Sequence, residues 1–187
     1  MNKPRMISAT LAAGGLLMAS NALAKECVNE TIDYDVEYVF VPEGASCWVV
    51  GATVTNGNVQ ADKAKRLIVR DSLIRNGDIQ ATEVSHGVRV LGNMLPNGNV
   101  QVEKSYDVRA VANMVRNGDV QVSENSGIKE FTTRVNNNVV WNGNIQVVKN
   151  EKAGVFRNTA SGDIQCYDNA LLAQGGNTAG GDLECID

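Results

Sequence analysis

A six-residue motif, first seen as TNGNVQ at residues 55–60, recurs along the chain and constrains its fold more than any other feature. It returns as RNGDIQ at 75–80, PNGNVQ at 96–101, RNGDVQ at 116–121 and WNGNIQ at 141–146, and then as SGDIQC and GGDLEC near the end. The apolar residue of the motif recurs at steps of 20, 21, 20, 25, 19 and 19 residues, at Val59, Ile79, Val100, Val120, Ile145, Ile164 and Leu183. A period near 20 predicts a solenoid in which each repeat forms one coil.

One repeat, VRVLGNMLPNGNVQVEKSYD at 88–107, contains three short strand-like segments separated by turns. Alternation of apolar and polar residues places Val100 and Val102 inside the coil and Asn99 and Gln101 outside. Three strands in about 20 residues predict an all-β, right-handed parallel β-helix of about seven or eight coils, a rod about 35 Å long at about 4.8 Å per coil.

The Asn-Gly pairs also suit a second fold, an antiparallel meander of β-hairpins, and the four cysteines distinguish the two folds. Cys27 and Cys47 are 20 residues apart, and Cys166 and Cys185 are 19 apart. Equivalent residues lie about 4.8 Å apart on successive coils of a solenoid, but about 9–10 Å apart in a meander. Because a disulfide needs Cα atoms about 4.4–6.8 Å apart, the solenoid is favoured, with one disulfide at each end. Equal spacing puts Cys166 and Cys185 in the column of Val102, and Cys27 and Cys47 in the column of Leu67.

The first 24 residues have the pattern of a cleaved signal peptide. Lys3 and Arg5 precede an apolar run at 6–20, and ALA at 22–24 matches a cleavage site. We therefore expect residues 25–187 to form one exported domain, periplasmic or extracellular, with no transmembrane segment. The formal net charge is −4 and there is no basic cluster, so nucleic acid is not an expected partner.

Two asparagine columns are interpreted as fold chemistry. The first column is interpreted as turn chemistry, because Asn and the Gly that follows it tolerate the positive φ of a sharp corner; its members are Asn56, Asn76, Asn97, Asn117 and Asn142. A second column, which comprises Asn93, Asn113 and Asn138, lies at a bend. Stacked amides there can satisfy one another and the backbone.

Two further polar columns flank the inward apolar residue of the motif and define the first candidate site. One column alternates Asn and Asp for six coils, and the other is glutamine in six coils and then glutamate. Together they predict a flat face that stacks for stability or binds a polysaccharide, and the residues chosen for binding are Asn99, Gln101, Asp119 and Gln121. The alternation fails near the C-terminus, where Asp163 and Asp182 are expected to be direct neighbours with Glu184 close by. These three residues are a weak candidate site for calcium, which prefers oxygen ligands. No other cofactor is expected.

The fifth coil has five extra residues, assigned from FTTRVNNNVVWNG at 131–143. Because insertions in solenoids map to loops and often to a binding face, Arg134 and Trp141 are added to the candidate binding residues, together with Asn136 and Asn137. Trp141 can stack on a sugar ring. Arg89 and Arg109 are expected to project from adjacent coils near Arg70, on a solvated face.

The NGNVQ and NGDIQ coils between terminal cysteines resemble small exported bacterial parallel β-helix proteins, distantly similar to the pectate-lyase-like superfamily. The resemblance covers roughly residues 27–187 and implies the fold but no activity. Bactofilins, which are cytoskeletal β-helices with Gly-rich coils, resemble the chain less, because the signal segment and disulfides do not suit a cytoplasmic filament.

Three functions are compatible with these features. The first is a non-enzymatic structural or binding protein that contacts a polysaccharide or a cell-surface protein through the Asn/Asp-x-Gln face. The second is a polysaccharide-active enzyme of the pectate-lyase-like class, disfavoured by short turns and a single histidine. The third is an ice-binding protein, although these rows lack the Thr-x-Thr pattern. Self-association through the ends or edges of the rod is a further expectation.

Overall fold

The computed structural model describes residues 24–128 and 130–185, in which there is no helix. Its 24 short strands form three parallel sheets, and each sheet receives one strand from successive coils. The predicted parallel β-solenoid of about eight coils is therefore confirmed, and the antiparallel meander is wrong. The predicted signal peptide lies outside the described residues except for Ala24, which begins the first strand.

The strands are as follows. The first sheet contains β1 (Ala24–Glu26), β3 (Tyr38–Val41), β6 (Val59–Asp62), β9 (Ile79–Thr82), β12 (Val100–Glu103), β15 (Val120–Ser123), β18 (Ile145–Val148), β21 (Ile164–Gln165) and β24 (Leu183–Glu184). The second contains β2 (Glu30–Ile32), β4 (Ser46–Val50), β7 (Arg66–Arg70), β10 (Val88–Leu91), β13 (Val108–Val111), β16 (Thr133–Asn136), β19 (Ala153–Phe156) and β22 (Leu172–Gly175). The third contains β5 (Thr53–Val54), β8 (Leu73–Ile74), β11 (Met94–Leu95), β14 (Met114–Asn117), β17 (Val139–Asn142), β20 (Thr159–Ala160) and β23 (Thr178–Ala179).

The core is a stack of small and branched apolar side chains enclosed by the three sheets. Val100 pairs in register with Ile79 and Val120, and all three are fully buried. β-branched residues suit such strands because their side chains pack well on a pleated surface. Each fully buried valine or isoleucine contributes about 1.5–3 kcal/mol, so the repeated column stabilises the stack coil by coil.

The corners of the coil use left-handed backbone at places that the sequence reading did not assign. The corners after most first-sheet strands have a residue of positive φ, for example Lys104 at 49° and Glu124 at 55°, and so do the corners after the second-sheet strands from β4 to β22, for example Ala112 at 58°. In the Asn-Gly turns none of the five asparagines has a positive φ, whereas two of the glycines do, Gly98 at 153° and Gly118 at 150°.

The turn glycines are needed mainly because they stack directly on one another. A Cβ atom on Gly77 would overlap the carbonyl oxygen of Gly57, and a Cβ atom on Gly98 would overlap that of Gly77. The asparagines beside them form an exposed ladder, in which Asn117 Nδ2 donates to Asn97 Oδ1 over 2.8 Å. Close backbone approach therefore explains the Asn-Gly turn better than corner conformation does.

Buried amides support the two left-handed corners. Asn113 Nδ2 donates to the Val90 carbonyl over 2.8 Å and to Asn138 Oδ1 over 3.0 Å, and its own Oδ1 accepts from the Asn93 backbone N–H. This confirms the second predicted asparagine column. A third ladder, which the sequence reading missed, follows the other left-handed corner through Ser105, Asn125, Asn150 and Asn169.

Both predicted disulfides are present, with Cα separations of 5.7 Å for Cys27–Cys47 and 4.4 Å for Cys166–Cys185. Cys166 follows Gln165 in the column predicted for it. The column of Cys27 was wrong. Its N–H donates to the Phe40 carbonyl, so it continues the first sheet, whereas Cys47 lies in the second sheet opposite Leu67. Equal spacing failed because the first coil is short, with Ala24 opposite Tyr38 only 14 residues later.

The five extra residues of the long coil lie between β15 and β16, earlier than the segment 131–143 from which they were assigned. Ile128, which is 87% exposed, lies in this longer corner. Arg134 is in register with Arg109 and occupies a regular coil position. Asn142 pairs with Asn117, so Trp141 also occupies a regular position.

The two ends of the stack differ. At the N-terminal end, Lys25 and Glu30 occupy inward positions, in register with Val39 and Cys47, and their side chains form an ion pair of 2.9 Å. The hydrogen bond between them raises the pKa of Lys25 and lowers the pKa of Glu30. At the other end, Leu183 continues the buried column of Ile164 but is 48% exposed. Nowhere in residues 24–128 or 130–185 is there a helix able to cross a membrane.

Candidate functional site on the three outer faces

The outer surfaces of the three sheets differ in chemistry. The first sheet presents glutamine, threonine and carboxylate side chains, the second presents arginines among apolar residues, and the third presents leucine, methionine and valine. Because outward residues alternate with buried ones along each strand, every face is a set of straight rows that run along the stacking axis. Each row has one side chain per coil.

The side-chain oxygens of the Asn/Asp column accept hydrogen bonds from backbone N–H groups of neighbouring coils. Asn99 donates from its backbone N–H to Asp78 Oδ1 over 2.7 Å, and Asn99 Oδ1 accepts from the Asp119 N–H over 2.8 Å. The same bond recurs at 2.7 and 2.8 Å in the next two steps, through Asn144 and Asp163. Asn99 and Asp119 are thus placed as fold residues.

The glutamine row keeps part of its hydrogen-bonding capacity free. Gln101 Oε1 accepts from Gln80 Nε2 over 3.1 Å, and Gln101 Nε2 donates to Gln121 Oε1 over 3.3 Å. A primary amide has two donor hydrogens and two acceptor lone pairs, so Gln101 keeps one of each for a ligand. In the preceding coil Phe40 is in register with Gln60, and the Tyr38 hydroxyl donates to Gln60 Oε1 over 2.8 Å. Burial raises the pKa of Tyr38.

An open groove of about 370 Å³ lies along this row and crosses four coils. Of the predicted binding residues, Gln101 and Gln121 line this groove, whereas Asn99 and Asp119 do not. Its other side consists of Asp62, Thr82, Glu103 and Ser123, which are in register. We name this groove, with both of its rows, the amide groove.

Three arginines occupy one row of the second sheet. Arg89 pairs in register with Arg109, and Arg109 pairs with Arg134; we name these residues the arginine row. The row continues towards the N-terminus through Ile68 and Trp48. A depression of about 550 Å³ lies on this side and is lined by both apolar and arginine side chains.

The arginines differ in their partners. Arg89 Nη2 lies 2.7 Å from Asp107 Oδ2, and its Nη1 donates to the Asp107 carbonyl. Among the described residues, neither Arg109 nor Arg134 has an ion-pair partner. Burial, followed by repulsion from Arg89, lowers the pKa of Arg109, while Asp107 acts in the opposite direction.

The third sheet carries the most apolar outer row. Met94 is in register with Leu73 on one side and Met114 on the other, and Met114 is in register with Val139. Met94 is 48% exposed and Trp141, on the same sheet, is 47% exposed. Trp141 and Arg134 therefore lie on different sheets, and a binding site that contains both of them stays a prediction.

The calcium candidates lie at the C-terminal end of the first sheet. Asp163 Oδ1 accepts from the Asp182 backbone N–H over 2.8 Å, and Gln165 Nε2 donates to Glu184 Oε2 over 3.2 Å. In the described part of the chain, no group of three or more His, Cys, Asp or Glu residues is arranged to hold a metal ion. Calcium binding stays a prediction.

The fold defines the class as a parallel β-solenoid with a disulfide near each end. Comparisons with protein-family models, with curated proteins and with solved structures gave no match.

Proposed function

We propose that the protein is an exported, non-catalytic binding protein that holds a linear polysaccharide in the amide groove. The observation that supports this proposal most directly is the groove itself, which follows the stacking axis across four coils. A polymer lying along this axis meets the same side-chain types at each coil, about 4.8 Å apart. The disulfides are compatible with export, because such bonds persist in oxidising compartments.

The chemistry of the groove suits sugar hydroxyls. Gln101 keeps one free donor and one free acceptor, and the other row of the groove contributes the hydroxyls of Thr82 and Ser123 on either side of Glu103. A hydroxyl can both donate and accept. Side-chain oxygens of the Asn/Asp column already accept hydrogen bonds from backbone N–H groups. The proposed binding residues are therefore Gln101, Gln121 and the other residues that line the groove. Because the same contacts repeat over several coils, a polymer that makes many weak contacts at once binds more tightly than any single contact allows.

The test is a binding screen of the oxidised protein against neutral and acidic polysaccharides, with release of soluble fragments followed in the same samples. The double variant Gln101→Lys, Gln121→Lys places two long cations in the groove, and we expect affinity to fall about tenfold or more. The matched control is Asn97→Lys, Asn117→Lys, which adds the same charge on the same two coils but outside the groove. We expect this control to bind normally.

Three results would contradict the proposal. Equal affinity of the groove variant and its control would show that binding occurs elsewhere. Release of fragments would identify an enzyme. Thermal hysteresis without polysaccharide binding would favour the ice-binding alternative instead.

A further inference from the structure

We propose that Arg109 and Arg134 form a binding site for a phosphate-type dianion, either inorganic phosphate or the phosphate group of a monoester. The site lies on the outer face of the second sheet. It is separate from the amide groove, and the inference does not rest on the function proposed above.

Positive charge is concentrated on this sheet although the chain as a whole is acidic. The formal net charge of the chain is −4. The eight strands of the second sheet contain five arginines, at positions 66, 70, 89, 109 and 134. The single carboxylate in these strands is Glu30, which forms an ion pair with Lys25 at the N-terminal end. The arginines therefore form a local cationic surface.

Arg109 has an incomplete set of partners. Its Nε is buried and has no hydrogen-bond partner, and it is the one such side-chain nitrogen or oxygen in the described residues. Leaving a polar group buried without a partner is unfavourable, so a ligand that supplies the missing acceptor is favoured at this position. An oxyanion can accept two parallel hydrogen bonds from one guanidinium, through Nε and Nη.

The charge balance favours a dianion over a carboxylate. Asp107 provides a counter-charge for Arg89, whereas Arg109 and Arg134 are adjacent cations about one strand spacing apart, or about 4.8 Å. A monoanion would neutralise one of them and leave the other unneutralised. A phosphate monoester carries about −1.5 to −2 charges and three acceptor oxygens at neutral pH, so a single group can bridge both guanidiniums.

The surroundings of Arg109 indicate that the phosphate belongs to a larger molecule. The depression of about 550 Å³ beside it exceeds the size of a phosphate group and is lined by Trp48, Val50, Ile68 and Leu91. An apolar or aromatic part of the ligand would cover these side chains, and Trp48 provides a surface for stacking. A phosphomonoester with a ring or an apolar chain has the matching chemistry.

The test uses three probes on the oxidised protein at about pH 8, where phosphate is a dianion. These are inorganic phosphate, phenyl phosphate and acetate, titrated at low ionic strength by calorimetry and by NMR of the arginine Nε–H signals. We expect phosphate to bind more tightly than acetate and to shift the Arg109 signal. Higher salt should weaken binding, because the site is partly exposed.

Variants identify the residues involved. Arg109→Gln and Arg134→Gln should each lower phosphate affinity about tenfold or more. The matched control is Arg116→Gln, which removes an exposed arginine from the third sheet and should leave the affinity unchanged. Arg109→Lys retains the charge without the planar fork, and we expect intermediate binding; this variant keeps the test valid if Arg109→Gln does not fold.

Phenyl phosphate distinguishes the source of the phosphate. Tighter binding than inorganic phosphate, lost in Trp48→Ala, would assign the site to a phosphate carried by a larger molecule. Equal binding of both probes would support the dianion site with free phosphate as its ligand. The proposal is overturned if acetate binds as tightly as phosphate, if Arg134→Gln behaves like Arg116→Gln, or if no probe binds at concentrations up to about 10 mM.

Discussion

At the scale of single residues, asparagine side chains have two structural roles that the sequence does not distinguish, one in buried hydrogen-bond ladders and one in an exposed ladder. Asn113 is 1% exposed and bonds both to the backbone of the coil before it and to the amide of the coil after it. Asn117, four residues later, is exposed and stacks on Asn97. Burial sets the difference, because water can replace the partners of Asn117 but not those of Asn113.

We therefore expect Asn113→Ala to destabilise the protein by about 1–3 kcal/mol, since it leaves the buried Asn93 N–H without its acceptor and removes the amide donor from the Val90 carbonyl. Asn117→Ala is the matched control and should cost less than about 1 kcal/mol. Urea unfolding of both variants measures the difference. Equal losses would show that the buried ladder is not a special source of stability.

At the scale of elements, the solenoid is held together by columns that link each strand to the same strand of the next coil. The alternation of Asn and Asp in one such column has an electrostatic cause. Asn99 lies between Asp78 and Asp119, and its Nδ2 donates to Asp78 Oδ1 over 3.1 Å. The amide separates two carboxylates that would repel each other at one strand spacing.

Replacing Asn99 by aspartate should therefore destabilise the fold by about 1–3 kcal/mol at neutral pH. The new carboxylate lies between two others, so its pKa in the folded protein is above the unfolded value of about 3.9. Folding disfavours the charged form of this new carboxyl group. The loss of stability is therefore complete above the pKa that the group has in the folded protein, and it disappears as the pH falls below the pKa that the group has in the unfolded chain.

The measurement is the melting temperature of Asn99→Asp and of the unmodified protein between about pH 3 and pH 7. Asn97→Asp provides the control, because the neighbours of Asn97 in its own column are the amides of Asn76 and Asn117. A loss at Asn99 that does not vary with pH would refute the electrostatic explanation.

At the scale of the whole molecule, the rod combines three outer faces of different chemistry with two different ends. The N-terminal end has the Lys25–Glu30 ion pair at core positions, whereas Leu183 in the last coil continues a core column that nothing in the described chain covers. The Cys166–Cys185 disulfide joins this last coil to the one before it. Its function in the fold is therefore to hold an exposed terminal coil in place.

We expect the double variant Cys166→Ser, Cys185→Ser to lose hydrogen-exchange protection in the last coil, around residues 170–185, while the central coils stay protected. A disulfide that closes a loop of this length contributes about 3 kcal/mol, and a coil in a solenoid contacts mainly its neighbours. Hydrogen exchange read by mass spectrometry tests this. Loss of protection along the entire rod would show that the solenoid unfolds as one cooperative unit.

Much of the fold can be predicted from the chain because the repeat is present in the sequence itself. The period placed Val59, Val100 and Ile145 in one buried column, and the cysteine spacing identified both disulfides. The prediction failed where the period changes. The short first coil moved Cys27 to another sheet, and the long corner before β16 displaced the insertion. Counting at equal intervals cannot detect a coil that is shorter or longer than the others.

The candidate sites depended more on tertiary structure. Alternation along a strand established that Gln101, Arg109 and Met94 point outward, because side chains of a strand alternate by covalent geometry. Only the stacked coils show that the partners of Asn99 are backbone groups while Gln101 keeps free donor and acceptor capacity. Hydrogen-bond satisfaction and burial are properties of neighbours about 20 residues away in the chain. For the same reason, it is packing between coils that leaves the Arg109 Nε buried without a partner, and no pattern in the sequence predicts this.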